Sequence, residues 1–452
     1  MEHKFSVGYA DIVITPDEPM PLGGYGASSF RKHEKVLDDI HAIGTAMTDE
    51  HGNTVLILTT DTTRAYFEAI PEARKMISAA TGLPTDRIMV TCTHTHSGPD
   101  LTNTAEEAVQ RYIPKLQQWL VECAQAALED RKPARIFAGH VEATGLNFVK
   151  HYYNVDEKGE KHFFGDNFGK HVMDETTRHT TEADPTMHII QFKREGGKDV
   201  VLCNWRAHPQ LTGGTKIKNL SADYPAPFRE ILGAQLNCHV HFLQGAAGNI
   251  NPKSRIPGEQ YSLDHRVFGA RLAYFALQCL EHNMEELPAG LIRTKQLQFS
   301  GKVNHSMDHK REEAAKVWRF FAQTGDREGT AALCREHGFA SVYHAGSVSA
   351  KAASPETIDL ELNAIVIGGA LAFVTAPNEL FDTNSVYTEE HSPYKMTFTC
   401  GYANGHWFYI PSQYGYDYSC YESHVSRFAP GTGEEVSEAF LKMLNELKID
   451  NG

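Results

Sequence analysis

The stretch VTCTHTHSGPD, residues 90–100, sets two histidines one residue apart, directly behind an apolar run and directly ahead of a Ser-Gly-Pro turn. The run RIMVTCT (87–93) is apolar and rich in β-branched residues, which reads as a buried strand. Residues i and i+2 of a strand share a face, so His94 and His96 are expected to point the same way from its carboxyl end. In an α/β sheet that end opens on the usual ligand crevice. Two imidazoles there can bind one metal together, or one can bind it while the other moves protons.

Similar runs recur along the chain at 54–60, 134–142, 187–193, 200–205, 240–245, 363–369 and 371–376. Helical patterns fall between many of them, at 66–81, 104–129, 260–282, 308–324, 378–390 and 434–447. Such alternation predicts an α/β fold with a covered sheet core and flanking helices. The stretch NAIVIGGALAFVTA (363–376) holds a Gly-Gly turn typical of antiparallel neighbours, which makes the sheet mixed. Two segments break the rhythm: 150–184, polar and histidine-rich, is expected as a long loop, and 301–358 as a charged helical insertion. Neither resembles a linker, so residues 1–452 are expected to form one large domain.

Composition excludes several functions. Lys+Arg 43 against Asp+Glu 57 gives a formal charge of −14, which opposes nucleic acid and anionic membranes. No basic leader precedes an apolar run and nowhere do eighteen apolar residues follow one another, so a soluble, cytoplasmic protein without stable membrane association is expected. The eight cysteines form no C-x-x-C pair and are expected as buried thiols. A small molecule is the expected partner, and association into a homo-oligomer is left open.

Three further clusters join the histidine pair. LCNWRAHPQLTGG places His208 before Pro209 at another strand end. LAFVTAPNELF places Glu379 just past a strand, at the expected start of a helix whose dipole would favour a carboxylate. The segment 400–422 packs six tyrosines, a tryptophan and a histidine together, a density that suits packing or substrate contact.

Together with VGYADIVITPDEPMPLGGYG, DDIHAIGTAMTDEHGNTVLILTTD, LSADYP, GAAGNINP and YANGHWFYIPS...YE, these segments resemble, in order and over nearly the whole chain, the catalytic domain of neutral ceramidases and their smaller bacterial relatives. The resemblance implies one zinc ion held by His94, His208, Glu379 and Tyr409, the last preferred to Tyr402 because Tyr416, Tyr421 and Glu422 then match without a gap. Two neutral imidazoles and one carboxylate would leave the ion positive enough to bring a bound water to a pKa of about 7. His96, on the same face as His94, is then expected to shuttle a proton or stabilise the oxyanion, with Tyr421 assisting.

The chain also departs from that pattern. GNINPKS puts Asn249 and Asn251 where those enzymes carry Asp and Ser, so no serine nucleophile is available; Asn251 is expected to orient water or substrate. Ser254 comes three residues late. In GLNFVK, Asn147 is kept while Phe148 replaces an arginine, leaving Lys150 as its substitute. Arg206 and Lys150 are expected to anchor an acidic part of the substrate, with Asn147 and Tyr416 also lining the site; the structural alternative for Arg206 is a pair with Asp223. The expected activity is zinc-dependent hydrolysis of a linear amide of a small soluble substrate by zinc-bound water. Enolate chemistry in an isomerase or lyase, and metabolite binding without catalysis, are the alternatives.

Overall fold

The computed structural model describes residues 4–25, 31–67, 69–165, 173–214, 216–259, 262–351 and 354–448. Two mixed sheets stack face to face with helices outside each. Strand Thr54–Thr60 shows why: it is buried at every position, with Val55 and Ile57 turned to one core and Leu56 and Leu58 to another. A strand covered on both sides has no polar face, so it reads as a continuous apolar run.

The larger sheet runs, in spatial order, His239–Gln244, Val200–Trp205, Thr186–Arg194, Lys132–Glu142, Ser6–Val13, His41–Thr48, Thr54–Thr60 and Ile88–Cys92. Its two ends are parallel pairs and its middle is antiparallel. Helices Ile70–Thr81, Glu107–Glu129, Pro225–Leu236 and His265–His282 cover its outer face. The second sheet orders Ile292–Lys302, Thr357–Ile367, Leu371–Thr375 and Met396–Cys400. Ile365, Phe373 and Phe398 pack from it against Ile57, Met89 and Leu243, while Leu360 and Leu362 face helix Thr432–Glu446 on the far side. The antiparallel hairpin expected at 363–376 is present, with Gly368 at φ 59° in its turn.

At one edge the two sheets are joined by hydrogen bonds. Asn404 donates its backbone N–H to Val90 O at 2.7 Å and accepts the Val90 N–H on its side-chain oxygen at 2.9 Å. Its amide also reaches Glu361 at 3.2 Å, which holds Arg74 of the outer helix at 2.9 Å. Asn404 has φ 60°, a left-handed conformation that Asn tolerates better than most residues.

Two expectations need correction. Segment 150–184 is not a loop throughout: His151–Val155, Lys161–Gly165 and Arg178–His179 form a three-stranded antiparallel sheet, and His171 lies outside the described residues. Glu379 does not open a helix; it sits in a two-residue strand, and the helix starts at Asp382. The 301–358 segment holds helices Arg311–Thr324, Arg327–His337 and Val342–Lys351 around a small core of their own. All eight cysteines are buried and free. Among the described residues no helix is long and apolar enough to cross a membrane.

Asn404→Ala would strand the buried Val90 N–H without an acceptor. We expect a loss of about 1–3 kcal/mol of stability, measured by chemical denaturation.

Candidate functional site

The parallel strands Ile88–Cys92, Val200–Trp205, Leu371–Thr375 and Met396–Cys400 deliver the chemically interesting residues just beyond their carboxyl ends. His94 follows the first, but not as a strand residue: the strand stops at Cys92 and His94 has φ 63°. It is the turn, rather than strand alternation, that brings the two rings together, and His96 is fixed by its N–H bond to Pro209 O at 2.8 Å. The Nε2 atoms of His94 and His96 lie 3.2 Å apart. Gly24 makes room for the second ring, since a Cβ there would lie 2.4 Å from the His96 Cγ, and its φ of 95° is left-handed as well.

His208 enters from the Val200–Trp205 strand, and suitable ligand atoms of His94, His96 and His208 all fall within 4.8 Å of one another. Glu379 completes the group, its Oε2 being 3.3 Å from His94 Nε2 and 3.4 Å from His208 Nε2. The proton positions follow from the partners. His94 Nδ1 meets the carbonyl of Thr63 and His208 Nδ1 that of Ile250 at 2.9 Å; a carbonyl only accepts, so both rings are protonated at Nδ1 and turn Nε2 lone pairs inward. Backbone carbonyls holding the outer nitrogen in this way are the usual support of metal-binding imidazoles. Tyr402, at φ 58°, stacks on the His94 ring at 4.2 Å.

Burial opposes charge on His208 and, with the Lys150 ammonium nearby, pulls its pKa down to about 4. Burial and the neighbouring imidazoles hold His96 well below its ordinary value. For Glu379 burial raises the carboxyl pKa, whereas positive charge at His94 and His208, which a cation would supply in place of their protons, lowers it well below its ordinary value. Several polar atoms at this point are buried without a hydrogen-bond partner: His96 Nδ1, Glu379 Oε2, the Tyr402 hydroxyl and both ring nitrogens of His406. Neutral imidazoles, one carboxylate and orphaned donors and acceptors around a common point fit a divalent transition metal. His94, His208 and Glu379 would hold it, with His96 and Tyr409 adjacent.

Tyr409 stands beside Glu379 because Glu379–Leu380 and Tyr409–Ile410 form a parallel pair in which those two residues are in register. Tyr409 and Tyr421 line a cavity of about 480 Å³ together with His94, His96 and Glu379, and their rings lie 6.1 Å apart. Trp318, Phe321, Tyr343 and Ala350 of the insertion helices form its roof.

Other expected residues are engaged elsewhere. Arg206 is not a substrate anchor: it is 1% exposed, 2.9 Å from Glu389 and 3.1 Å from Asp184. Nor does it pair with Asp223, which caps Thr212 and Tyr224. Lys150, 3% exposed, is likewise consumed by Glu422 at 2.8 Å, and His151 bonds the other oxygen of that carboxylate at 2.8 Å. Asn147 donates to the carbonyls of Asp184 and Arg206, and Tyr416 to that of Phe428, so neither faces the cavity. Asn251 is buried in a short ladder opposite Phe148 and does not line the cavity either. Asn249 binds Asp382 and Tyr414, and Ser254 binds Glu259. Of the further histidines, His179 contacts Glu259 and His162 contacts Asp156. Sequence reasoning passed over His406, whose Nε2 lies 3.6 Å from Glu379 Oε1, and the cavity arginines Arg64 and Arg427. His406 was visible inside the tyrosine-rich run, whereas nothing local marks the two arginines.

No family model matches the chain, and no curated protein matches it. Solved structures do share its fold. A crystal structure of neutral ceramidase from Pseudomonas aeruginosa aligns with a TM-score of 0.72 at 16% identity, over 99% of this chain and 75% of that one. A ceramidase complexed with C2 aligns with the same score and identity over 98% and 75%. The mixed sheets with flanking helices are thus a fold shared with neutral ceramidase over three quarters of that chain.

Metal analysis by plasma mass spectrometry should find about one transition metal per chain in the wild type, and His208→Ala and Glu379→Ala should each lose most of it. Gly24→Ala, by contrast, should displace His96 while keeping the metal. Full metal content in both ligand variants would refute the assignment.

Proposed function

We propose that the chain is a zinc-dependent amidohydrolase that cleaves linear amides of small soluble molecules. The observation that carries this reading is the convergence of three imidazoles and the Glu379 carboxylate at the floor of a cavity with an aromatic roof. Nitrogen donors with a single carboxylate suit zinc, whereas magnesium and calcium favour oxygen shells. The solved neighbours are ceramidases, by name enzymes that cleave an amide, and that supports hydrolysis as the reaction class. Zinc bound there supplies Lewis acidity, polarising a carbonyl and acidifying water.

The chain's own residues supply the rest. His94 and His208 are already held by the carbonyls of Thr63 and Ile250, so little reorganisation accompanies binding. His96, neutral and with its Nδ1 unpartnered, takes a proton from the attacking water and returns it to the leaving amine. Burial and the Glu422 carboxylate push the Tyr421 phenol well above its ordinary value, so it remains an O–H donor towards the developing oxyanion. With asparagine at 251, attack by water replaces an acyl-enzyme.

Turnover of a panel of N-acyl amides in ¹⁸O-labelled water should place the label in a new carboxylate. Loss of His96 in a His96→Ala variant should leave the metal bound and lower kcat by about 10²–10⁴-fold. Exchange of a carbon-bound hydrogen without label uptake would instead assign enolate chemistry.

A further inference from the structure

We propose that Arg64 and Arg427 form an anion clamp in the cavity wall that recognises a carboxylate on the substrate, so that the amides cleaved are acidic, of the N-acyl amino acid type. The inference rests on the amidohydrolase reading for the reaction, but not for the clamp itself.

Both arginines line the cavity that contains His94, His96 and Glu379. Both guanidinium groups also pack on one ring, Phe408, with Cζ atoms 5.1 Å and 5.9 Å from its centroid. Arg427 touches Trp407 as well, at 5.7 Å. The two cations therefore share one ring as well as one cavity. Phe408 is itself at φ 62°, a left-handed conformation that costs a bulky residue about 1–3 kcal/mol. Strain of that kind persists where surrounding structure, or function, requires it.

What distinguishes these two arginines is the lack of acceptors. The more deeply buried arginines elsewhere are all matched: Arg206 with Asp184 and Glu389, Arg229 with Asp61, Arg194 with Asp130, and Arg31 with backbone carbonyls. Arg64 forms no ion pair and donates no hydrogen bond among the described residues, and its Nε is buried without a partner. Arg427 makes one contact at the limit of hydrogen bonding, 3.5 Å to the Ser354 hydroxyl, and no ion pair among the described residues. Neither guanidinium forms an ion pair among the described residues, although Asp100 and Glu379 are near enough to favour the charge of Arg64, and in a chain of net charge −14 that leaves both forks able to meet an anion. A planar fork matches a carboxylate in bidentate fashion, which favours that anion over a diffuse one.

The remaining wall indicates the other half of the ligand. Trp318, Phe321, Tyr343 and Val425 offer an apolar surface in the same cavity as the candidate metal ligands. A molecule that satisfies both has an apolar acyl or aryl group, an amide over the histidines and a carboxylate on the arginines. The role earlier expected of Arg206 and Lys150 is filled by a different pair of cations.

The test compares N-(4-phenylbutanoyl)glycine with its uncharged glycinamide on the metal-loaded wild type, Arg64→Gln and Arg427→Gln. The wild type should prefer the acid. Each variant should raise KM for the acid by about 10- to 100-fold, the size expected for a lost charged hydrogen bond, and so narrow the preference for the acid over the neutral amide. Equal use of both compounds by the wild type overturns the clamp; so does a fall in kcat on the neutral amide, which would assign Arg64 to the oxyanion. If neither compound is cleaved, calorimetric titration with 4-phenylbutyrate and 4-phenylbutyramide decides separately. Binding of the carboxylate that weakens in both variants keeps the clamp and removes the amidohydrolase reading, whereas equal affinity in wild type and variants removes the clamp. Arg64→Lys, which keeps the charge but not the fork, should recover only part of the affinity.

Discussion

Two hydrogen bonds between Asn404 and Val90 hold the ends of two separate sheets together, and the site depends on that junction. His94 lies four residues beyond Val90 on one sheet's side, while Tyr402, His406 and Tyr409 surround Asn404 on the other. Donors to a common point therefore come from strands that share no ladder. Separation of the sheets by even an ångström would dissolve a convergence now measured in distances of 3.2 to 3.4 Å. The apolar core between the sheets gives them attraction but little register, because dispersion and hydrophobic contact are non-directional. Hydrogen bonds at the rim, with Glu361 and Arg74 behind them, supply the direction.

The same rim concentrates strain. His94, Tyr402, Asn404 and Phe408 all have positive φ, which asparagine and histidine adopt more readily than the two bulky aromatics. At about 1–3 kcal/mol each, such conformations survive only where packing over-determines them. Here the Tyr402 ring stacked on His94, and the bonds from Thr91 to Gly401 and from Glu379 to Phe408, do so. Buried ionisable groups add a second cost. Lys150, Glu422 and His151 settle it among themselves, and Arg206 does with its two carboxylates. Around Glu379 the polar atoms remain partly orphaned, an arrangement that a cation would satisfy.

Sequence made the doubly covered strands legible because their periodicity is that of burial: residues 54–60 and 200–205 match the observed strands end to end. His94, His208 and Glu379 were legible as punctuation after such strands, although the reason offered for His94 and His96 sharing a direction was wrong. The small sheet at 150–184 was not legible, since its strands bury only scattered positions such as Tyr152 and Phe164, too few to impose a readable alternation. The opening strand Ser6–Val13 pairs with His41–Thr48 across a long connection, and its Tyr9 and Asp11 broke the apolar pattern. Arg206, Lys150 and Tyr416 were misread for one common reason. Whether a charged or phenolic group faces a ligand or a buried partner depends on residues far away in sequence, such as Glu389 for Arg206 and Phe428 for Tyr416.

Floor and roof of the cavity obey different physical rules. The floor is built from strand ends under strain, with nearly every residue buried, so substitution there disturbs both sheets. The roof is three helices with a core of Ala314, Val317, Cys334, Phe339, Ala345 and Val348, attached to the body chiefly at helix Tyr421–Val425. That attachment includes the His344–His424 stack at 4.5 Å, the Ser347 hydroxyl on Val425 O at 3.3 Å and the Lys351 bond to Ser426 O at 3.1 Å. Residues such as Trp318, 40% exposed, can therefore change without moving a metal-binding group. Specificity is thereby separated from chemistry within one cavity. On the amidohydrolase reading, the floor sets which bond is attacked, and the roof with its flanking arginines sets which molecule presents that bond.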